Sequence, residues 1–302
     1  MYDVIIVGGG SASFSAAIYT ARKLLKTLIV TKKFGGQTAM SSEVENYPGF
    51  QKISGIELIM KMRDHAESLG VGVYDGQEVK KINIISDKKF EIVTDKKTYL
   101  TKSVIIASGK KPRMLNIPGE KEFSGKGVAY CVTCDAPMFA NKEVAVIGGG
   151  NSGLDAALEL TKYAKKIYIL EYADVLKGDE KTQQILRNNK KVQIITHAQI
   201  THIKGDKFVD QIIYQDKSSQ KINHLNVRGV FVEIGWETIS DFVPREIKKN
   251  KFNEIVIDHK DQSTTVKGIY AAGDVTDGLY KQTIVACGDA AKAALSVGEY
   301  LK

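Results

Sequence analysis

Apolar residues run from Val4 to Val7 and stop at Gly8-Gly9-Gly10. A short apolar run closed by glycine predicts a strand buried on both faces, as in a parallel sheet. Small residues at helical spacing follow from Ala12 to Lys23, then a second apolar run from Thr27 to Val30. The same order returns 140 residues later: a run from Glu143 to Ile147, Gly148-Gly149-Gly150, a helical pattern from Ser152 to Lys162, and a strand from Lys166 to Leu170. Each copy predicts a βαβ unit of the dinucleotide-binding type. The repeat extends to Val104-Ile105-Ile106-Ala107-Ser108-Gly109 and Val230-Phe231-Val232-Glu233-Ile234-Gly235. A last segment, Gly268 to Asp274, reads as a strand-turn ending in an acid, ahead of a helix over 283–301, and belongs with the first copy. The pattern therefore predicts an α/β protein with two Rossmann-like dinucleotide-binding domains of the three-layer ββα type, one inserted in the other. The outer domain takes residues 1–111 and 246–302, and the inserted one residues 112–245. The crossings are expected at Lys111-Pro112-Arg113 and Pro244-Arg245, where prolines break the periodicity.

Composition narrows the class. In 302 residues, 43% are hydrophobic and 26% charged, the balance of an ordinary globular protein. Three cysteines cannot staple a secreted scaffold. No apolar run approaches the roughly 20 residues a bilayer span needs. Met1-Tyr2-Asp3 has no basic leader character, so a cytosolic protein is expected. The net charge is +8, but all except six of the 43 basic residues are lysine, scattered in pairs such as Lys32-Lys33 and Lys248-Lys249. That is surface solvation rather than a nucleic-acid footprint.

In a dinucleotide loop the first glycine permits the tight turn, the second lets backbone approach a pyrophosphate at the helix start, and the third spaces helix from strand. Gly148, Gly150 and Gly153 fill all three places in the second copy, with Asn151 and Ser152 opening the helix. Gly8 and Gly10 fill two in the first copy, and Ser13 stands third, a small departure that the helix is expected to accommodate with some loosening of the packing. An acid about 20 residues beyond such a loop bonds the ribose 2′-hydroxyl. Glu171, 23 residues beyond Gly148, is in that place, whereas the first copy reads Thr31-Lys32-Lys33. Each charge of a 2′-phosphate at ~4 Å from that carboxylate would cost roughly 1 to 4 kcal/mol. NADH is therefore expected over NADPH by tenfold or more.

Cys131-Val132-Thr133-Cys134-Asp135 precedes the second loop. Two cysteines three apart can close a small disulfide at a helix start, and beside nucleotide-binding folds that favours redox chemistry. Zinc would need two further ligands, and the remaining cysteine and the five histidines offer no ligand spacing. Asp135 is the candidate acid-base residue. Cys287 reads as a small apolar residue of the last helix.

Taken together, Gly8-Gly9-Gly10, Phe34-Gly35-Gly36-Gln37, Glu45-Asn46-Tyr47-Pro48-Gly49, Cys131 to Asp135, Gly148 to Gly153, Gly273-Asp274 and Lys281-Gln282 resemble the low-molecular-weight thioredoxin reductases, class II pyridine nucleotide-disulfide oxidoreductases, over essentially the whole chain. Within that family, Gly148 to Gly153 with Leu170-Glu171-Tyr172 resembles most the reductase part of the alkyl hydroperoxide reductase flavoprotein component, which uses NADH. NADPH-dependent members carry a His-Arg-Arg run where this chain has Glu171-Tyr172-Ala173.

The resemblance implies FAD in the outer domain, on Gly8, Gly10, Ser11, Ala12, Gly36, Gln37, Asn46, Gly109, Gly273, Asp274, Lys281, Gln282 and Thr283. It implies hydride transfer from NADH to the flavin, then electron transfer to a Cys131–Cys134 disulfide, with Cys134 facing the flavin, Cys131 attacking the partner's disulfide and Asp135 handling the proton. It further implies a thioredoxin- or glutaredoxin-like protein substrate on a separate polypeptide, a homodimer, and rotation of the inserted domain about its two crossings. Ser11-Ala12-Ser13, Ala136 and Trp236-Glu237-Thr238 depart from the family's Pro-Ala-Gly, glycine and Pro-Asn turn. An NADPH-dependent thioredoxin reductase proper and a flavin-binding redox sensor with little turnover are the alternatives.

Overall fold

In the computed structural model, which describes residues 1–41 and 44–302 and their side chains except those of Thr133 and Cys134, the apolar runs become strands and the small-residue segments become helices. Among the described residues the chain runs β1 (Tyr2–Val7), α1 (Ser11–Arg22), β2 (Thr27–Val30), α2 (Gly55–Ser68), β3 (Gly72–Tyr74), β4 (Val79–Ser86), β5 (Lys89–Thr94), β6 (Thr98–Ile106) and β7 (Lys110–Pro112). It continues through β8 (Val128–Ala129), α3 (Val132–Asp135), β9 (Glu143–Ile147), α4 (Asn151–Leu160), β10 (Lys166–Leu170), α5 (Glu180–Arg187), β11 (Val192–Ile195), β12 (Ala198–Gly205), β13 (Val209–Asp216), β14 (Ile222–Asn226) and β15 (Gly229–Val232). It ends with β16 (Trp236–Thr238), β17 (Ile269–Ala271) and α6 (Thr283–Leu301).

The chain divides into two units, Met1–Lys111 with Glu237–Lys302, and Pro112–Trp236. In the first, the sheet order is β3-β2-β1-β6-β5-β4, with β17 also on β6. The strands β1, β2, β3, β17 and the end of β6 are parallel, while β4 and β5 continue antiparallel. Alternation along β1 explains why its run is apolar throughout. Val4 and Ile6 pack with Phe14, Ala16, Ala17, Ala290 and Ala294 of α1 and α6. Ile5 and Val7 pack on the other face with Phe90, Ile92, Phe242 and Val243. The alanines let α1 and α6 lie close to each other and to the sheet.

The second unit repeats the plan. Its parallel sheet has the order β11-β10-β9-β15-β8. Val144 and Val146 face α3 and α4, whereas Ala145 and Ile147 face the antiparallel sheet β12-β13-β14. Each unit is thus the three-layer arrangement read from the sequence.

The second crossing differs from expectation. It falls at Trp236/Glu237 rather than at Pro244-Arg245. The intervening Phe242 and Val243 are buried in the first unit's core, and Ile239 N–H donates to Gly109 O at 3.0 Å. Pro244 marks only a local turn, closed by Ile247 N–H on its carbonyl. The two linking segments, β7 and β16, pair as a two-stranded ribbon.

Candidate functional site

Among the described residues, the starts of the helices of eight or more residues separate into two kinds. Ser54 caps α2 by accepting from Glu57 N–H, and Asp179 caps α5 by accepting from Thr182 N–H. By contrast α1, α4 and α6 start at Gly10, Gly150 and Gln282 with no side-chain cap and no acid in the first turn. The positive end of each dipole and the N–H groups that open each first turn face outward from the helix end, as an anion requires, although Ser13 N–H of α1 is already taken by Gly10 O.

In the first unit, the residues picked from sequence converge on two of these starts. Gly8, at φ 139°, lies so near β6 that a Cβ there would stand 2.2 Å from Ala107 O. Gly35 N–H donates to Gly9 O at 2.9 Å, and a Cβ on Gly36 would meet Gly10 Cα at 3.0 Å. Gly273 is wedged between Ala12 of α1 and Ala286 of α6. Across long sequence separations, Gln37 Nε2 donates to Asp274 Oδ2 at 3.1 Å and Asn46 Nδ2 to Gln282 Oε1 at 3.3 Å, while Thr38 and Thr283 hydroxyls lie 3.1 Å apart. Ser11 and Ala12 are buried at the start of α1. Gly109 accepts from Ile239 N–H, and among the described residues no hydrogen bond joins it to this group. Ser13 does not open the helix start; it is fully buried, with its hydroxyl 3.5 Å from Ala107 O.

Beside this cluster lies a charge network that sequence reading missed. Glu254 is buried, and its Oε1 takes Lys110 Nζ at 2.8 Å and Lys281 Nζ at 3.3 Å, while Oε2 accepts from Asn250 at 2.6 Å. Lys281 also donates to Thr276 O. Burial works against ionisation of Glu254, but the Lys110 and Asn250 hydrogen bonds outweigh it and hold the carboxyl below its usual value. Burial pushes the Asp274 carboxyl up, against the pull of Lys281 and Gln37. Cys287 is free and buried, as its reading as an apolar residue required.

In the second unit, a Cβ on Gly148 would stand 2.4 Å from Glu233 O, and one on Gly153 only 1.9 Å from Gly148 O. Gly150 has open space where its Cβ would be, and Asn151 and Ser152 are exposed. Glu171 is fixed against this loop: Oε2 accepts from Gly149 N–H at 2.6 Å and Oε1 from Ala173 N–H at 2.7 Å. The chain beyond it folds back, with Lys177 and Gly178 N–H groups on Gly149 O and Asp179 N–H on Asn151 Oδ1. This strap was also missed, although Asp179 followed by Glu180 is a helix-start signal. Cys131, extended at the start of α3, is in a disulfide. Burial pushes the Asp135 carboxyl up. The side chain of Cys134 lies outside those described. Among the described residues no group of three or more potential ligands could hold a metal ion.

The profile of the pyridine nucleotide-disulphide oxidoreductase family matches residues 2–290. An alkyl hydroperoxide reductase component of Escherichia coli is 41% identical over 304 residues, covering 99% of this chain and 58% of that protein. A Bacillus subtilis protein named NADH dehydrogenase is 40% identical over 303 residues, again 99% of this chain and 58% of its own length. The chain thus spans about three-fifths of these relatives. The thioredoxin reductase structure from Lactococcus lactis superposes with a TM-score of 0.78 at 36% identity, covering 100% of this chain and 99% of that one.

Proposed function

Because the chain belongs to the pyridine nucleotide-disulphide oxidoreductase family, we propose that it is a flavoprotein disulfide reductase that carries electrons from NADH to a thioredoxin- or glutaredoxin-like protein. The observation that carries this reading is the set of three uncapped helix starts, α1 and α6 in the first unit and α4 in the second, in a chain whose second unit also holds Cys131 in a disulfide.

The first unit fits FAD. Gly8, Gly10 and Gly36 leave a backbone-walled cradle at the start of α1, and Gln37, Asn46, Asp274, Lys281, Gln282 and Thr283 gather at the start of α6. FAD bound there accepts a hydride and passes two electrons on. The second unit's role is to bind the dinucleotide. The α4 start takes its pyrophosphate, Gly148 and Gly153 bring helix and strand together, and Glu171 accepts from the adenosine ribose hydroxyl. Both Glu171 oxygens are fixed by backbone N–H groups yet retain lone pairs, which supports NADH over a 2′-phosphorylated cofactor. The name NADH dehydrogenase on one relative supports the same choice.

NADH brings two electrons and one proton, and reduction of a disulfide to a dithiol needs one proton more. Asp135, on the helix that begins after Cys131 and with its carboxyl pushed up by burial, holds a proton nearer neutral pH than an ordinary aspartate, which supports it as the group that gives this proton. Cys131 then attacks the partner's disulfide. The two crossings, Lys110–Pro112 and Trp236–Thr238, are where the inserted unit would turn between these steps. A homodimer in the cytosol completes the reading; no helix among the described residues is long and apolar enough to cross a membrane.

The test is turnover of a thioredoxin-like disulfide protein with NADH and NADPH compared. NADH should be favoured about tenfold or more in kcat/KM, the size of a one-unit charge repulsion. Equal or better turnover with NADPH would point instead to a thioredoxin reductase proper, the activity named for the Lactococcus lactis structure. Reduction without turnover would indicate a sensor.

A further inference from the structure

The strand beside each glycine loop ends in the same way in both units. Ala107 N–H donates to Val7 O at 2.8 Å, and Glu233 N–H donates to Ile147 O at 2.8 Å. The carbonyl of Ala107 lies against Gly8 as that of Glu233 lies against Gly148, 2.2 and 2.4 Å from a Cβ at each glycine. The two residues are equivalents, and they differ in chemistry: a buried alanine in the first unit, a carboxyl in the second. The fold therefore does not require a carboxyl at this place.

Its surroundings point to a ligand. Glu233 continues β15, and strand alternation puts it on the face of Phe231, which packs with Leu154 and Ala157 of α4. It stands at the C-terminal edge of the sheet between β9 and β15, where the strand order reverses. Crevices of this kind take the ligand in doubly wound sheets. Glu233 is partly buried, and among the described residues no hydrogen bond or charged neighbour acts on its carboxyl; burial alone pushes it up to about 7. A titratable group so placed marks a site.

A dinucleotide with its adenosine at Glu171 on the β10 side and its pyrophosphate at the start of α4 must lay its other half toward β15. Resting on the reading of the second unit as the dinucleotide site, we propose that Glu233 positions the nicotinamide riboside half by hydrogen bonds from its carboxyl to the hydroxyl and amide groups there. A neutral carboxyl both donates and accepts, and glutamine keeps that ability where alanine does not.

The experiment titrates NAD+ and, separately, ADP into the purified full chain as wild type, Glu233→Ala and Glu233→Gln. NAD+ affinity should fall about tenfold in Glu233→Ala and recover to within about threefold of wild type in Glu233→Gln. ADP, which lacks the riboside, should bind all three alike. Unchanged NAD+ binding in Glu233→Ala, equal losses in both variants, or a parallel loss of ADP affinity would overturn the assignment. Wild type that bound neither probe would remove the dinucleotide reading itself, and this inference with it.

Discussion

Glu171 and Glu233 are both carboxyls at the second glycine loop, and their surroundings set them to different work. Glu171 is locked by Gly149 and Ala173 N–H groups. Glu171→Ala should remove both the proposed ribose acceptor and the lock, so under the proposed function the ratio of NADH to NADPH kcat/KM should drop about tenfold, as steady-state assays would show. Glu233 carries a free-energy cost when ionised. With its carboxyl raised to about 7 in the folded chain, the folded state binds more protons than the unfolded one between the ordinary glutamate value and about 7, so stability falls as pH rises across that window. Glu233→Gln should therefore match wild type in urea denaturation at about pH 4, below that window, and exceed it at pH 8, by on the order of 1–2 kcal/mol after allowing for solvent access. A variant with the same advantage at both pH values would contradict this. Glu171 was legible because the distance from loop to acid is set by one βαβ unit. Glu254 was not: its pairing with Lys110 spans 144 residues, and nothing in a local window marks two lysines and an acid as neighbours. Glu254→Ala should leave both lysines without their buried partner and lower stability by roughly 3 kcal/mol.

At the scale of elements, the glycine loops are where sequence and structure agree most closely, because each glycine answers a steric demand. Gly153 shows it best. A Cβ there would stand 1.9 Å from Gly148 O, a backbone atom that cannot move aside cheaply. Gly153→Ala should push α4 off its strand and weaken NADH binding at least about tenfold, while flavin content and the spectrum of the bound flavin stay as in wild type. The first loop tolerates Ser13 at the matching place. The helix accommodates it as expected, with the buried hydroxyl set beside Ala107 O. The uncapped starts of α1, α4 and α6 were legible only as glycine loops and a Lys-Gln pair. Their contrast with the capped α2 and α5 needed the structure.

The whole molecule is one unit inserted in another, and the sequence disclosed that plan through its repeated order of apolar run, glycine loop and helical pattern. The second crossing was misplaced by nine residues, because Phe242 and Val243 belong to the first unit's core while proline was read as the boundary. The inserted unit is continuous in sequence, Pro112–Trp236, and has its own apolar clusters on both faces of its sheet. A fragment of residues 112–236 should fold by itself with a cooperative thermal transition and bind ADP, whereas residues 1–111 alone should not, since α6 and β17 are needed to cover and extend their sheet.

In the proposed function, electrons from NADH reach a disulfide at Cys131 by way of a flavin. Anaerobic titration of the flavin-bound chain with NADH, followed by flavin absorbance, tests it in wild type and in Cys134→Ser. Flavin and disulfide each take two electrons, so wild type should consume two NADH per chain before bleaching is complete, and the variant one. One NADH per chain in both proteins would place the cysteines outside the electron path and contradict the account.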